Sequence, residues 1–290
     1  MNIKLNRIAL ALATIFVLAS CAEAPKKTEE KSEEENAQEE AVAENEIDSE
    51  EGVSFVLPSP IQIAAIFNRA GLNYKSGLTN DPENVSNYNT KTARYLNFGV
   101  YSADMAYAVL NDKQQESIDL LNAVKSLSES IGMPSVFGSG KLIESFEANI
   151  GNQDTVLRIL TTIKRRTDEY LQENSEESKE AVFFSAAWVE GMFIGSQSAS
   201  DNAKVTPRLI EQMTILDNLI KALQVQNDET LQLGFMVDGL VDIQKTYNNF
   251  ESVKKFESRE IDLAEVSLTD EELKTLTTKI SDLRSSIVKG

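Results

Sequence analysis

Residues 181–194 constrain the fold of this chain most strongly, because they are apolar on nearly every side of a helix. A surface helix has one apolar stripe, whereas a helix that is apolar all round must be enclosed by other elements. Ser, Glu and Gly interrupt the segment, and a membrane span needs about 20 predominantly apolar residues. We therefore expect residues 181–194 to form the central helix of a helical domain.

Capping residues and apolar periodicity predict further helices along the chain. Ser59-Pro60 with Gln62 is typical of a helix start, and Thr269 with Glu272 is a second capping box. The predicted helices cover about 60–71, 85–111, 112–132, 141–150, 152–173, 178–198, 206–226, 228–256 and 269–287. Sustained strand alternation and a fixed repeat period are absent. The expected fold is all-α: an irregular multi-helix bundle of eight or nine helices behind a disordered tether.

Glu190 places a carboxylate inside the apolar segment, where its helical neighbours include Phe183, Ala187 and Ile194. In such surroundings a carboxylate must be paired, hydrogen-bonded or protonated, or it must bind a ligand or metal. We place an ion pair first, because buried charges are normally paired. The candidate partners are Arg94, Arg158 and Arg208.

Two other helices place an aspartate within an apolar run, at Asp104 and Asp238. Asp104 shares its face with Asn97 and Tyr101, so we expect it to be half exposed or to line a polar cleft. Asp238 shares its face with other charged residues, which is typical of a solvated stripe. Three buried carboxylates would suit a hard cation such as Ca²⁺. Because the helix faces that carry the three carboxylates differ in expected burial, no metal site is predicted.

Trp188, Gly191 and Gly195 share one face of the central helix. Small residues four apart allow a second helix to approach closely, so tight packing is the expected role of this face. Tyr101 either lines a pocket or lies at the edge of the core with its hydroxyl on a partner. The candidate ligand or buried-polar site comprises Glu190, Asp104, Tyr101 and Trp188.

The composition excludes several kinds of chemistry. The chain has no histidine and one cysteine, Cys21, which rules out Ser-His-Asp and Cys-His catalysis and zinc sites built from His or Cys. A net charge of −18 argues against a nucleic-acid partner, because proteins bind nucleic acid through basic patches. The short basic cluster Lys164-Arg165-Arg166 lies in the C-terminal half of its predicted helix, where the helix dipole favours positive charge. The alternative is that it docks an acidic partner.

The N-terminus has the three regions of a secretory signal. A basic start precedes an apolar run over residues 8–18, and Leu18-Ala19-Ser20-Cys21 ends it. These four residues resemble the lipobox of bacterial lipoproteins, which implies cleavage before Cys21 and attachment of lipid, including palmitate, to Cys21. An ordinary secretory leader or an N-terminal anchor helix with an incidental cysteine is the alternative. The residue after Cys21 is Ala22 and not an aspartate. The resemblance then implies attachment to the outer membrane, at its periplasmic or surface face.

Residues 22–52 contain 13 acidic and 3 basic residues and almost nothing to bury, so they are predicted to be disordered. The expected organisation is a lipoprotein signal peptide at 1–20, the lipidated cysteine and acidic linker at 21–52, and a single helical domain at 53–290. Two segments, 55–64 and 96–104, resemble a group of helical lipoproteins from Bacteroidota. No activity is known for that group, so the resemblance assigns no functional residue.

The expected function is that of a lipid-anchored bacterial envelope protein that binds a protein partner or a small ligand. Contact with the membrane is expected through the lipid, and we expect no enzyme activity, no cofactor and no nucleic-acid partner. The alternatives are an envelope structural or assembly scaffold and, ranked last, a carboxylate- or metal-dependent enzyme. A deep pocket at Glu190 or Asp104 would favour ligand binding, and a broad exposed apolar patch would favour a protein partner.

Overall fold

A computed structural model describes residues 45–48, 54–258 and 266–290. Two strands precede the helices, β1 at Asn45–Asp48 and β2 at Ser54–Leu57. The α-helices are α1 Pro60–Arg69, α2 Lys91–Leu110, α3 Gln114–Ser130, α4 Lys141–Ala148, α5 Gln153–Glu173, α6 Glu180–Ala199, α7 Val205–Met213, α8 Leu216–Gln224, α9 Gly234–Asn248, α10 Glu251–Glu257 and α11 Asp270–Val288. Short 3₁₀ helices are Pro82–Asn87, Pro134–Val136 and Glu177–Lys179. This architecture confirms the predicted all-α, irregular multi-helix bundle.

The predicted signal peptide, Cys21 and most of the predicted linker lie outside the described residues. The strand β1 is the described part of the linker, and it pairs antiparallel with β2, with Asn45 opposite Leu57. Two strands of four residues are too short to leave sustained alternation in the sequence, so the prediction missed them.

Helix α6 is the centre of the bundle, as its apolar surroundings in the sequence predict. Seventeen of its twenty residues are buried. Helices α1, α2, α7, α8 and α11 all pack against it, which leaves little of its surface to solvent. Among the described helices, α6 included, none combines the length and apolar character that a bilayer span requires.

Glycines set how closely the neighbours approach α6. A Cβ on Gly191 would lie 2.5 Å from Cγ2 of Ile63, so the face shared by Gly191 and Gly195 holds α1 in place. This is the tight helix packing that the spacing of the two glycines predicts. Helix α2 approaches through its own Gly99, where a Cβ would lie 2.2 Å from the carbonyl oxygen of Phe183.

The predicted helix 206–226 is divided into α7 and α8. Thr214 follows α7, and its hydroxyl donates to the carbonyl oxygen of Glu211 at 2.7 Å. Such a bond gives the backbone a local alternative to the next helical turn. No proline or glycine marks the break, which is why the sequence pattern runs through it.

The predicted helix 228–256 begins later and is also divided. Asp228 does not cap a helix: its carboxylate accepts the backbone N–H of Thr230 at 3.0 Å and lies 2.6 Å from Nζ of Lys91. Phe250 then separates α9 from α10, because its backbone is extended and its side chain is buried. These two divisions give eleven α-helices in the described ranges, where the sequence predicts eight or nine.

Candidate functional site

Glu190 is fully buried on α6 and pairs with Arg284 of α11. Nε of Arg284 donates to Oε2 of Glu190 at 2.9 Å, and Nη2 donates to Oε1 at 3.0 Å. Two parallel bonds from one guanidinium make this the strong, geometrically specific form of a charge-assisted pair. Arg284 also donates to the carbonyl oxygen of Leu78 at 3.2 Å and lies 4.6 Å from the ring centroid of Phe193. The expected ion pair is therefore present, with a partner other than the three arginines that the sequence suggested.

Asp104 of α2 belongs to the same cluster and is fully buried, which corrects the expectation of a half-exposed residue or a polar cleft. The backbone N–H of Asn80 donates to its Oδ2 at 2.9 Å, whereas its Oδ1 has no donor among the described residues. Burial, followed by the charge of Glu190, raises the pKa of Asp104 well above its ordinary value. We assign the proton to Asp104, because a second buried negative charge beside Glu190 would have no cation of its own, whereas Glu190 is compensated by Arg284.

The polar neighbours of Asp104 are buried because their hydrogen bonds are internal. The amide of Asn97 donates to the carbonyl oxygen of Ile287 at 3.0 Å, which ties α2 to α11. The hydroxyl of Tyr101 donates to the carbonyl oxygen of Asp81 at 2.7 Å, and burial raises the pKa of Tyr101. A face that the sequence pattern assigns to a cleft is therefore a packed contact.

The structure brings together Glu190, Asp104 and Tyr101 of the four candidate residues. Trp188 is buried in the core, and its Nε1 has no acceptor within the described ranges. Asp238 is exposed on α9, as its charged stripe predicts. In the part of the chain that the structure describes, no group of three or more His, Cys, Asp or Glu side chains is arranged to hold a metal ion.

Arg284 is the member of the cluster that sequence reasoning missed. It lies on the last helix between Ile280 and Ile287, at spacings of four and three residues, and both of these neighbours are buried. An arginine at that position shares the buried face of its helix, as Glu190 does. Matching one buried acid to one buried base across two helices would have found the pair.

A cavity of about 340 Å³ lies between α2, α5 and α6, beside the first residues of α1. Its wall is mostly apolar and aromatic. The apolar lining residues include Phe98, Met105, Leu160, Ile163, Phe183 and Phe184. A cavity of this size with an apolar wall and a few polar groups is the usual form of a small-molecule site.

Four charged side chains also line this cavity: Lys164, Arg165 and Asp168 of α5, and Glu180 of α6. Nζ of Lys164 lies 2.5 Å from Asp168 and 3.5 Å from Glu180. Arg165 is 60% exposed and pairs with Glu169, so its charge lies at the surface. The other charged groups of the cavity wall are two carboxyl groups and one ammonium group, with side chains that are 13–37% exposed.

Burial controls the ionisation of these two carboxyl groups. It raises the pKa of Glu180 to about 7, with Lys164 lowering that pKa and Asp168 raising it. Burial likewise raises the pKa of Asp168, against the lowering effect of Lys164. Near neutral pH Glu180 therefore exchanges a proton with solvent, since its carboxyl group is largely desolvated and shares the single ammonium group of Lys164 with Asp168.

The four candidate residues from the sequence do not line this cavity. Two of its charged residues belong to the basic cluster Lys164-Arg165-Arg166, while Arg166 donates to the carbonyl oxygen of Val136 at 3.2 Å. In the sequence, Lys164 and Asp168 form an ordinary i,i+4 pair, which is typical of a solvated helix face. The cavity depends on how three helices meet, and the sequence pattern carries no sign of that.

Comparison with protein families, with curated proteins and with solved structures found no match to this chain.

Proposed function

We propose that this protein is a lipid-anchored bacterial envelope protein whose helical domain binds a small, largely apolar ligand. The observation that carries the proposal is the apolar cavity between α2, α5 and α6, with Lys164, Asp168 and Glu180 in its wall. Burial of a ligand against this wall gives affinity, and the charged groups give orientation. The Glu190 cluster has a structural role in this proposal, because its carboxylate is already satisfied by Arg284.

A small ligand is favoured over a protein partner by the surface of the described residues. Large apolar side chains that are more than about a third exposed are few there: Val225, Phe235 and Phe256, at 37–43%. Protein-binding surfaces generally present contiguous apolar patches. A scaffold role is the second candidate, and we propose no catalytic role.

Ligand binding is tested with N-phenyl-1-naphthylamine, a neutral apolar fluorophore that brightens on leaving water. We expect saturable binding to the wild type. Ser102 lines the cavity from α2, so Ser102→Phe should weaken binding at least tenfold by filling the space. Ser126→Phe is the matched control, because Ser126 is exposed on α3 and should leave binding unchanged. Equal binding by both variants would exclude the cavity as the site.

The lipid anchor rests on the lipobox resemblance at Leu18-Ala19-Ser20-Cys21 and on the secretory signal before it. Several acyl chains on one residue give a stable anchor, since each buried methylene contributes about 0.8 kcal/mol. Ala22 supports placement in the outer membrane.

Cys21→Ala should move the protein from the membrane fraction to the soluble fraction while leaving its helical circular dichroism spectrum unchanged. Carbonate-washed membranes from cells expressing either form supply the measurement. Ser32→Ala in the predicted linker is the control and should stay on the membrane. Retention of Cys21→Ala after the wash would rule out the proposed anchor.

A further inference from the structure

Lys164, Asp168 and Glu180 of the cavity wall are together one positive charge short of neutrality when both carboxyl groups are ionised. Lys164 is the closest cation, and it lies 1 Å nearer to Asp168 than to Glu180. The neighbouring Lys179 is nearly buried but engaged elsewhere, with Glu176 and, at 3.7 Å, with Asp228. Glu180 is therefore the least compensated carboxyl group of the cavity wall.

The position of Glu180 lets a bound molecule supply the missing charge. Glu180 lines the cavity at the first turn of α6, and its side chain is 13% exposed. The aromatic rings of Phe98, Phe183 and Phe184 line the same cavity. A ligand with an apolar body against these rings can direct a polar group toward the carboxyl pair.

An ammonium group fits this arrangement better than the other common polar groups. It donates up to three hydrogen bonds and brings one positive charge, so it satisfies Glu180 and Asp168 together. A ligand carboxylate would add a third negative charge beside a single lysine. A ligand hydroxyl would form a hydrogen bond but leave the charge of the pair uncompensated.

We propose that the cavity binds a small amine, with an apolar body against the phenylalanine rings and a protonated nitrogen on Glu180 and Asp168. This inference rests on the proposed ligand-binding function and names the chemical class of the ligand. Binding takes place without covalent chemistry.

The pH dependence of binding follows from the position of Glu180. Since the pKa of Glu180 is about 7, its ionised fraction rises from about one tenth at pH 6 to about nine tenths at pH 8. An alkylamine keeps its proton over this range, as lysine does. Amine affinity should therefore rise about tenfold between pH 6 and pH 8. The affinity of a neutral ligand of the same shape should change little.

The test uses the wild-type protein with bound N-phenyl-1-naphthylamine and three competitors of one shape: 4-phenylbutylamine, 4-phenylbutanol and 4-phenylbutyrate. At pH 8 we expect the amine to displace the fluorophore at least tenfold more effectively than the alcohol, because a charge-assisted bond contributes more than a neutral one. The carboxylate should be the weakest competitor.

Glu180→Gln keeps the shape of the side chain and should remove most of the amine's advantage and most of its pH dependence, while the alcohol competes as before. Asp168→Asn provides a second variant in case Glu180→Gln is unstable, and it should also reduce the preference for the amine. The matched control is Glu173→Gln, which makes the same charge change at an exposed position of α5 and should behave as wild type.

The outcomes separate the two proposals. Fluorophore binding with equal displacement by amine and alcohol overturns the amine inference and leaves the proposed function standing. Retention of the full amine preference in Glu180→Gln also overturns it. Failure of the wild type to bind the fluorophore or any of the three competitors overturns both.

Discussion

Replacing Arg284 by Met should lower the free energy of unfolding by about 3–5 kcal/mol at pH 7, the typical cost of breaking one side of a buried ion pair. Methionine retains much of the length and apolar volume of the arginine side chain but leaves Glu190 without its two charge-assisted bonds. The carbonyl oxygen of Leu78 would also lose a donor. Urea unfolding followed by the fluorescence of the single tryptophan, Trp188, measures the change.

Two comparisons make this result specific to the pair. Arg158→Met removes an exposed arginine from α5 and should change stability by less than about 0.5 kcal/mol. Glu190→Gln should cost less than Arg284→Met, because Asp104 can release its proton and become the counter-charge of Arg284. An Arg284→Met protein within 1 kcal/mol of wild type would mean that the pair contributes little to folding.

The burial of Glu190 could be predicted from its own helix, but its partner could not. Phe183, Ala187 and Ile194 place Glu190 on an apolar face, and burial of that face follows from helical periodicity alone. Its partner lies 94 residues further along the chain. Which helices become neighbours depends on tertiary packing, and local patterns do not encode it.

The environment of Asp104 shows where face analysis fails. Asn97 and Tyr101 make its face polar in the sequence, and polar side chains are usually exposed. Both are buried because they donate to backbone carbonyl oxygens of other segments, at Ile287 and Asp81. A polar residue whose hydrogen bonds are internal has no need of solvent, and composition cannot distinguish it from a surface residue.

Helix starts were predicted best where a local device fixes them. The capping box of Thr269 and Glu272 is present, and α11 begins at the next residue. The side chain of Gln62 accepts the backbone N–H of Ser59 at the start of α1. Internal breaks were predicted poorly, because Phe250 interrupts its helix through burial in the core.

The cavity was the least predictable feature. It is formed where three helices leave space between them, and each contributes ordinary apolar residues. Lys164 and Asp168 indicate only a surface pair until Glu180 joins them from another helix. The chemistry of the proposed site is therefore a property of the packed bundle.

Replacing Asp104 by Asn should raise the free energy of unfolding, by an amount that grows with pH. Burial raises the pKa of Asp104 in the folded protein, whereas the unfolded chain releases this proton near pH 4. Above about pH 4 the folded protein therefore keeps the proton on Asp104 that the unfolded chain has released. The free energy of unfolding of the wild type falls as pH rises, by up to about 1.4 kcal/mol per pH unit, until the folded protein also releases the proton of Asp104.

Asparagine reproduces the protonated form of Asp104 without a titrating group. Its oxygen can accept from the backbone N–H of Asn80, so the hydrogen bond of the aspartic acid is kept, and its NH₂ places no negative charge beside Glu190 at any pH. Urea unfolding of both proteins from pH 4 to pH 8 gives the difference. That difference isolates Asp104, because Glu180 and Asp168 titrate in both proteins. Asp238→Asn on the exposed face of α9 is the control, and its free energy of unfolding should differ from that of the wild type by the same amount at every pH. A difference between Asp104→Asn and wild type that does not change with pH would mean that Asp104 is ionised in the folded protein.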